Sequence, residues 1–160
     1  MREELKKALA PILTEVGAIV QVSQQLEFGL KYAISLVKGL EPEEFSDEIF
    51  DVEFESLSKL TLGPLIGKFK KHVELRPGFE DTLADALKAR NYVAHNFFTD
   101  RMELLATLEG RKGQLQYLQW AWKVVIAGVL AVDEVVPKLM AASGADPVAI
   151  NEEAKRAIKL

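Results

Sequence analysis

The 160-residue chain contains no cysteine, and only His72 and His95 are histidines. Without thiols the chain cannot form disulfides, thiolate metal sites or a cysteine nucleophile. A reducing compartment is therefore permitted, and the stability of the fold has to come from packing. Since histidine is the side chain best suited to exchanging protons near neutral pH, few positions qualify as proton-transfer catalysts.

Long hydrophobic runs are also lacking. The longest run, Val124 to Val132, has about half of the roughly twenty apolar residues that a membrane-spanning helix needs. The first residues, Met1 to Lys7, carry charges of both signs instead of the unbroken apolar segment of a secretory signal. We expect a soluble, cytoplasmic protein.

Positive charge is not in excess, since 20 Lys and Arg face 24 Asp and Glu and leave a net charge of −4. No overall field attracts nucleic acid, so any contact with phosphate has to be local. The middle of the chain offers four lysines for such contacts: Lys68, Lys70, Lys71 and Lys88. Plain solubilising lysines are the simpler alternative.

Carboxylates are concentrated between Glu41 and Glu55. No histidine accompanies them, so we predict a solvated acidic surface there and not a metal site. Nothing in the sequence calls for a metal or another cofactor.

Apolar residues recur at three- and four-residue intervals from Arg2 to Lys38 and from Gln114 to Ala142, which predicts two long helices. Shorter helices are predicted between them, one of them from about Phe79 to Phe98. The sequence thus predicts an all-α fold, an up-and-down bundle of four to six helices, forming a single domain over residues 1–160.

Several local patterns leave alternatives. Residues Phe50 to Glu55 alternate like a strand but also fit a helix, which we prefer because no other segment offers a partner strand. A short helix is predicted from about Arg101 to Glu109, and Gly110 to Gly113 is predicted as a turn. A final helix is predicted from Asp146 to about Lys159. Trp120 and Trp122 are predicted to be core or dimer-face aromatics in preference to platforms on which bases stack.

The segment from Lys88 to Phe98 places polar chemistry on an apolar helix. At about 100° per residue, Arg90 falls in the middle of an apolar side, whereas Asn91 and His95 share a neighbouring face. A guanidinium in that position needs a partner or water, and Glu27, in an i+7 row of the first helix, is the first candidate. The simpler alternative for Glu27 is a carboxylate at the solvent edge of its apolar stripe. The apolar side is predicted to contain Phe79, Leu83, Ala86, Leu87, Ala94, Phe97 and Phe98.

A cation, an amide and an imidazole on adjacent turns suit a phosphodiester. Arginine can hold a phosphate with two hydrogen bonds, histidine can transfer protons, and the Asn91 amide can orient the imidazole or donate to phosphate. Arg90 and His95 diverge by about 140° on one helix, so a single copy makes a poor cleft. A two-fold homodimer would double every group at a shared site.

Arg90-Asn-Tyr-Val-Ala-His95 resembles the signature of the HEPN domains (higher eukaryotes and prokaryotes nucleotide-binding), in which an arginine and a polar residue precede a histidine. The resemblance covers most of the chain in its helical pattern and about six residues in motif. It implies a helical bundle, a homodimer with a composite cleft and, in many members, a metal-independent endoribonuclease that uses the ribose 2′-hydroxyl as nucleophile.

Such HEPN proteins act as toxins of toxin–antitoxin pairs or in defence against phage, so a cognate antitoxin is an implied partner. Carried over, Arg90 would bind the scissile phosphate, His95 would be the acid–base group, and Asn91 would orient His95 or contact phosphate. A toxin branch has a tyrosine that is modified to silence the enzyme two residues after the histidine, where this chain has Phe97.

Two other readings remain open. A HEPN-like protein could bind a nucleotide, RNA or a partner protein without cleaving it. Alternatively, the motif could serve only structure, with Arg90 paired to Glu27 and His95 bonded to Asn91 within a helical dimerisation module.

Overall fold

Helices account for most of the chain, as the three- and four-residue spacing of apolar side chains requires. A computed structural model describes residues 2–144, which form six α-helices and no strand. In chain order these are α1 (Arg2–Gly39), α2 (Asp47–Ser56), α3 (Leu62–His72), α4 (Pro77–His95), α5 (Phe97–Leu105) and α6 (Leu108–Ala142). For this range the prediction of an all-α fold with two long helices is confirmed.

The segment that fits both a strand and a helix belongs to α2, so the preference for a helix is confirmed. Ser46 caps this helix, because its side-chain oxygen accepts a hydrogen bond from the Ile49 backbone N–H at 3.3 Å. Phe50 and Phe54, one turn apart, stack with their ring centroids 5.9 Å apart. The cap and the i, i+4 aromatic pair both favour the helix.

The described residues divide into two compact units. The first contains residues 2–27 and 75–130, and the second contains residues 28–74 and 131–144. The core of the first unit is built from buried side chains of α1, α4, α5 and α6, namely Ile12, Ile19, Val22, Ala89, Val93, Phe97, Leu105, Leu118, Ala121 and Val125. In the second unit Leu57, Leu62, Leu65 and Phe69 are buried. The single domain over residues 1–160 stays a prediction.

The predicted helix from Phe79 to Phe98 is too long at its end, because α4 stops at His95. Asn96, with φ −118° and ψ −21°, separates α4 from α5, which starts at the next residue. Asparagine favours helix ends because its side chain competes for backbone hydrogen bonds. Phe97, the first residue of α5, is buried in the core of the first unit. His95 is consequently the last residue of its helix.

The predicted turn at Gly110 to Gly113 is wrong, since these residues lie within α6. The connection comes earlier, at Ala106 and Thr107, and the predicted helix from Arg101 to Glu109 is replaced by α5. The Thr107 hydroxyl accepts from the Gly110 N–H at 3.0 Å, which caps the start of α6. The Arg111 guanidinium donates to the Leu105 carbonyl at 2.9 Å, which satisfies the end of α5.

The predicted final helix, from Asp146 to about Lys159, lies outside the described residues. Within residues 2–144, no helix has the length and apolar character needed to cross a membrane.

Gly110 is expected to be required at the start of α6. A Cβ atom at this position would overlap the backbone carbonyl oxygen of Leu104, whereas a Cβ at Gly113 would meet nothing within 4 Å. Gly110→Ala should therefore lower the free energy of unfolding by about 1–3 kcal/mol. Gly113→Ala should raise it by up to about 1 kcal/mol, because alanine is the better helix former.

Urea unfolding followed by circular dichroism measures both changes. Equal gains in stability from the two substitutions would contradict the close approach of the Leu104 carbonyl to α6.

Candidate functional site

The candidate site is organised by α4, which has one buried and one exposed side. Pro77 suits the first turn because its missing N–H has no partner in a helix to lose. The buried residues of α4 are Leu83, Ala86, Ala89 and Val93. Because neighbouring residues are about 100° apart, burial of this side sets which side chains of the motif face solvent.

Arg90 lies at the edge of the buried side and pairs with Glu27 of α1. Its Nη2 is 3.3 Å from Glu27 Oε1, and the two side chains are 23% and 17% exposed. Arg90 Nη1 also donates to Asn91 Oδ1 at 3.0 Å. The guanidinium is thus held by one carboxylate and one amide oxygen.

A cavity of about 150 Å³ opens beside this pair. It lies between α1, which contributes Val20, Gln24 and Glu27, and α4, which contributes Arg90, Val93 and Ala94. Ala94 and Val20 are exposed. Ala94, which is predicted to lie on the apolar side of the helix, therefore lines this cavity and does not belong to the core. A small polar group could enter here and reach the Arg90 guanidinium.

Asn91 and His95 both lie on the exposed side of α4. The Asn91 oxygen is bonded to Arg90 and not to the imidazole, so the amide helps to orient the arginine. Among residues 2–144 the His95 side chain has no hydrogen-bond partner. Its imidazole is accordingly available to an external ligand.

The four candidate phosphate-binding lysines are divided between the two units. Lys88 shares α4 but lies 3.7 Å from Asp85, with both side chains exposed. Lys68, Lys70 and Lys71 belong to α3 in the second unit, where the Lys68 amine is 3.4 Å from Glu53. Within the first unit, Lys88 is therefore the one member of this set that shares an element with the motif.

No group of three or more His, Asp or Glu side chains within residues 2–144 is arranged to hold a metal ion. The acidic segment from Glu41 to Glu55 lies in the second unit, where it precedes α2 and forms most of it.

A second polar cluster was missed by sequence reasoning. Arg101 of α5 donates from Nε to the Tyr92 hydroxyl at 2.9 Å and from Nη1 to Gln114 Oε1 at 2.8 Å. Its guanidinium carbon lies 4.1 Å from the ring centroid of Tyr117. Three helices contribute to this cluster, so no spacing along the chain marks it in advance.

Tyr117 has a perturbed hydroxyl in this cluster. Burial raises its pKa above the ordinary value, the positive charge of Arg101 acts in the opposite direction, and Tyr92 adds to the rise. The neutral hydroxyl is therefore the form that the folded state favours.

Comparisons with models of protein families, with curated proteins and with solved structures found no match. The assignment of a function therefore depends on the side chains of the first unit and on the resemblance of its motif.

The Arg90–Glu27 pair is expected to stabilise the first unit. Arg90→Met removes the charge but keeps an apolar stem, and it leaves Glu27 largely buried without its arginine. We expect a loss of about 1–3 kcal/mol in the free energy of unfolding. Lys88→Met is the matched control on the same helix and should change stability by less than about 0.5 kcal/mol.

Both variants are compared by urea unfolding, together with the double variant Glu27→Gln, Arg90→Met. The double variant should lose less than the sum of the single losses. If Arg90→Met behaves like Lys88→Met, the pair contributes nothing to the fold.

Tyr117 should reduce stability at alkaline pH. Because its pKa is raised on folding, its contribution is complete below the unfolded value of about 10 and is lost as the pH rises through the folded value. Tyr117→Phe should therefore show a smaller loss of melting temperature than the original chain between about pH 9 and 11. Parallel melting curves for the two proteins over that interval would contradict the raised pKa.

Proposed function

We propose that this chain is a metal-independent endoribonuclease of the HEPN type. The observation that carries the proposal is the exposed His95 imidazole, which has no protein partner among residues 2–144, on the same helix as a fixed arginine. An imidazole without a protein partner is free to accept or donate a proton to a ligand, whereas a histidine that only buttressed the fold would be bonded within it. The resemblance of Arg90 to His95 to the HEPN signature supports the same reading.

The proposed reaction is an in-line attack of the ribose 2′-hydroxyl on the adjacent phosphorus. A histidine accepts the 2′-hydroxyl proton as the O2′–P bond forms, and an acid returns a proton to the 5′-oxygen as the P–O5′ bond breaks. The products are a 2′,3′-cyclic phosphate and a 5′-hydroxyl. Arg90 neutralises the charge that develops on the non-bridging oxygens.

One copy of α4 supplies only one of the two proton-transfer groups. We therefore propose that a homodimer brings two copies of α4 together, so that one His95 acts as base and the other as acid. Exposed apolar side chains on α1 of the first unit, Leu13 and Val20, offer a surface for such pairing.

The geometry of Arg90 is compatible with exchange of its carboxylate partner for a phosphate. The Nη2 to Oε1 distance of 3.3 Å is longer than the roughly 2.7–2.9 Å of a strong charge-assisted hydrogen bond. A phosphate entering the cavity beside Val20 and Gln24 could share the guanidinium with Glu27. Asn91 would keep the guanidinium plane in position during that exchange.

The biological setting follows from the resemblance alone. We propose that the enzyme is a toxin or a phage-defence effector in the cytoplasm, held inactive by a cognate antitoxin protein. Silencing by modification two residues after the histidine is not part of the proposal, because Phe97 has no hydroxyl and its side chain is 0% exposed.

A second candidate is a module that binds RNA, a nucleotide or a protein without cleaving. The observation that favours it is the engagement of Arg90 by Glu27, since a partly buried ion pair also serves structure. Under this reading His95 contributes binding contacts and no proton transfer.

The ribonuclease proposal is tested by incubating the purified protein with single-stranded RNA in the presence of EDTA. We expect cleavage that leaves 2′,3′-cyclic phosphate ends. His95→Ala should reduce the rate by at least about 100-fold, because the general acid–base group is removed. His72→Ala is the matched control, since His72 lies on α3 in the second unit, and it should leave the rate unchanged.

Circular dichroism and size-exclusion chromatography check that both variants keep the fold and oligomeric state of the original chain. Binding of RNA without cleavage would favour the second candidate. Equal cleavage by His95→Ala and the original chain would remove the catalytic role from this motif.

A further inference from the structure

Arg101 is held in a fixed orientation by neutral groups only. Its Nε and Nη1 donate to the Tyr92 hydroxyl and to the side-chain oxygen of Gln114, which is only 5% exposed. One face of the guanidinium is covered by the Tyr117 ring, 4.1 Å from the guanidinium carbon. These contacts reduce the conformational entropy of the long Arg101 side chain in the folded protein. The guanidinium is therefore oriented before any ligand binds.

The positive charge of Arg101 is not compensated within the described part of the chain. No carboxylate among residues 2–144 forms an ion pair with it, in contrast to Arg90, which has Glu27. Two of the five N–H groups of a guanidinium are used by Tyr92 and Gln114, and the others have no acceptor among the described residues. A planar cation that is oriented but not neutralised is suited to an anion such as phosphate.

An exposed aromatic ring lies next to this cation. Trp120 is 54% exposed, and its ring centroid is 5.6 Å from that of Tyr117. Trp120 therefore does not belong to the core, and its predicted alternative place on a dimer face stays a prediction. The Arg101 guanidinium, the Tyr117 ring and the Trp120 ring follow one another across α5 and α6. Alternating cationic and aromatic groups are typical of surfaces that bind single-stranded nucleic acid, where bases stack on the rings.

This cluster also borders the side of α4 that carries the motif. Along α4, Tyr92 and His95 are three residues apart and are neighbours on the helix surface. Relative to Arg90, the side chains of Asn91, His95 and Tyr92 lie at about 100°, 140° and 200° around the helix axis. Arg90 thus lies at one edge of the exposed side of α4. Tyr92, whose hydroxyl accepts a hydrogen bond from Arg101, lies at the other edge.

We propose that Arg101 and Trp120 form a subsite for a nucleotide that flanks the dinucleotide cut by the enzyme. Trp120 stacks on the base of that nucleotide, and Arg101 pairs with its phosphate. The ligand is single-stranded RNA, because a base in a duplex is not free to stack on a side chain. This subsite rests on the proposed ribonuclease function and adds the substrate contacts that hold the RNA on the His95 side of α4.

Binding is measured on the His95→Ala protein, which should not consume the probe, with a fluorescently labelled octaadenylate RNA. Adding Trp120→Ala should weaken binding about tenfold, whereas Trp120→Phe, which keeps a ring, should weaken it less than about threefold. Adding Arg101→Gln should weaken binding and lower the slope of log Kd against log salt by about 0.7. Lys112→Gln, an equal change of charge at an exposed position of α6, should change neither the affinity nor the slope by a comparable amount.

Cleavage gives the second measurement, with the octaadenylate and the dinucleotide ApA as substrates. Trp120→Ala and Arg101→Gln should lower kcat/KM for the octamer about tenfold and leave that for ApA within about twofold, since ApA has no flanking nucleotide. Thermal melting monitors folding, and Arg101→Lys replaces Arg101→Gln if the latter fails to fold. Lysine keeps the charge but loses the planar contacts, so it should bind RNA more weakly than arginine.

The outcomes separate the subsite from the function. If the original chain cuts the octamer and the Trp120 and Arg101 variants cut it equally well, the subsite is overturned and the function stands. If RNA is bound through Trp120 and Arg101 but never cut, the subsite stands and the ribonuclease proposal fails. If RNA is neither bound nor cut, both are overturned.

Discussion

The burial of one side of α4 is the constraint on which the candidate site depends. Leu83, Ala86, Ala89 and Val93 must leave water, and their burial fixes the rotation of the helix about its own axis. That rotation puts Arg90 at the edge facing Glu27 and leaves His95 in solvent. The positions of the motif side chains therefore follow from the packing of the buried side of α4.

The break at Asn96 adds a second constraint. Phe97 begins α5 directly after the break, is buried in the core of the first unit and stacks on Tyr117. Arg101 lies four residues further along α5, close to Tyr92 and Tyr117. The short helix that buries the Phe97 ring thus also carries Arg101.

The long helices could be predicted from the sequence because their apolar spacing repeats over many turns, as in α1 and α6. The junctions between helices could not be predicted. Local sequence rules suggest a turn at Gly110 and a continuous helix through Asn96, whereas the packing of the folded chain decides both positions. Two glycines three residues apart indicate a turn, yet Gly110 is needed for a close approach to the Leu104 carbonyl. Glu27 was accessible as a candidate because its row on α1 is periodic, whereas Arg101 depends on Tyr92 and Gln114 from two other helices.

The two arginines differ in how their charges are balanced, and this difference bears on their roles. Arg90 has a carboxylate partner, so its free energy of binding a phosphate is reduced by the loss or sharing of that partner. Arg101 has neutral partners, so a phosphate adds an interaction without displacing one.

Under the proposed ribonuclease function, affinity for an anionic chain should then come mainly from Arg101, while Arg90 would become fully engaged only where charge builds up during reaction. Interactions that strengthen in the transition state accelerate the chemical step, whereas uniform binding does not. For that proposed function, the held and partly neutralised Arg90 would consequently be the better catalytic group of the two, and the uncompensated Arg101 would be the better anchor.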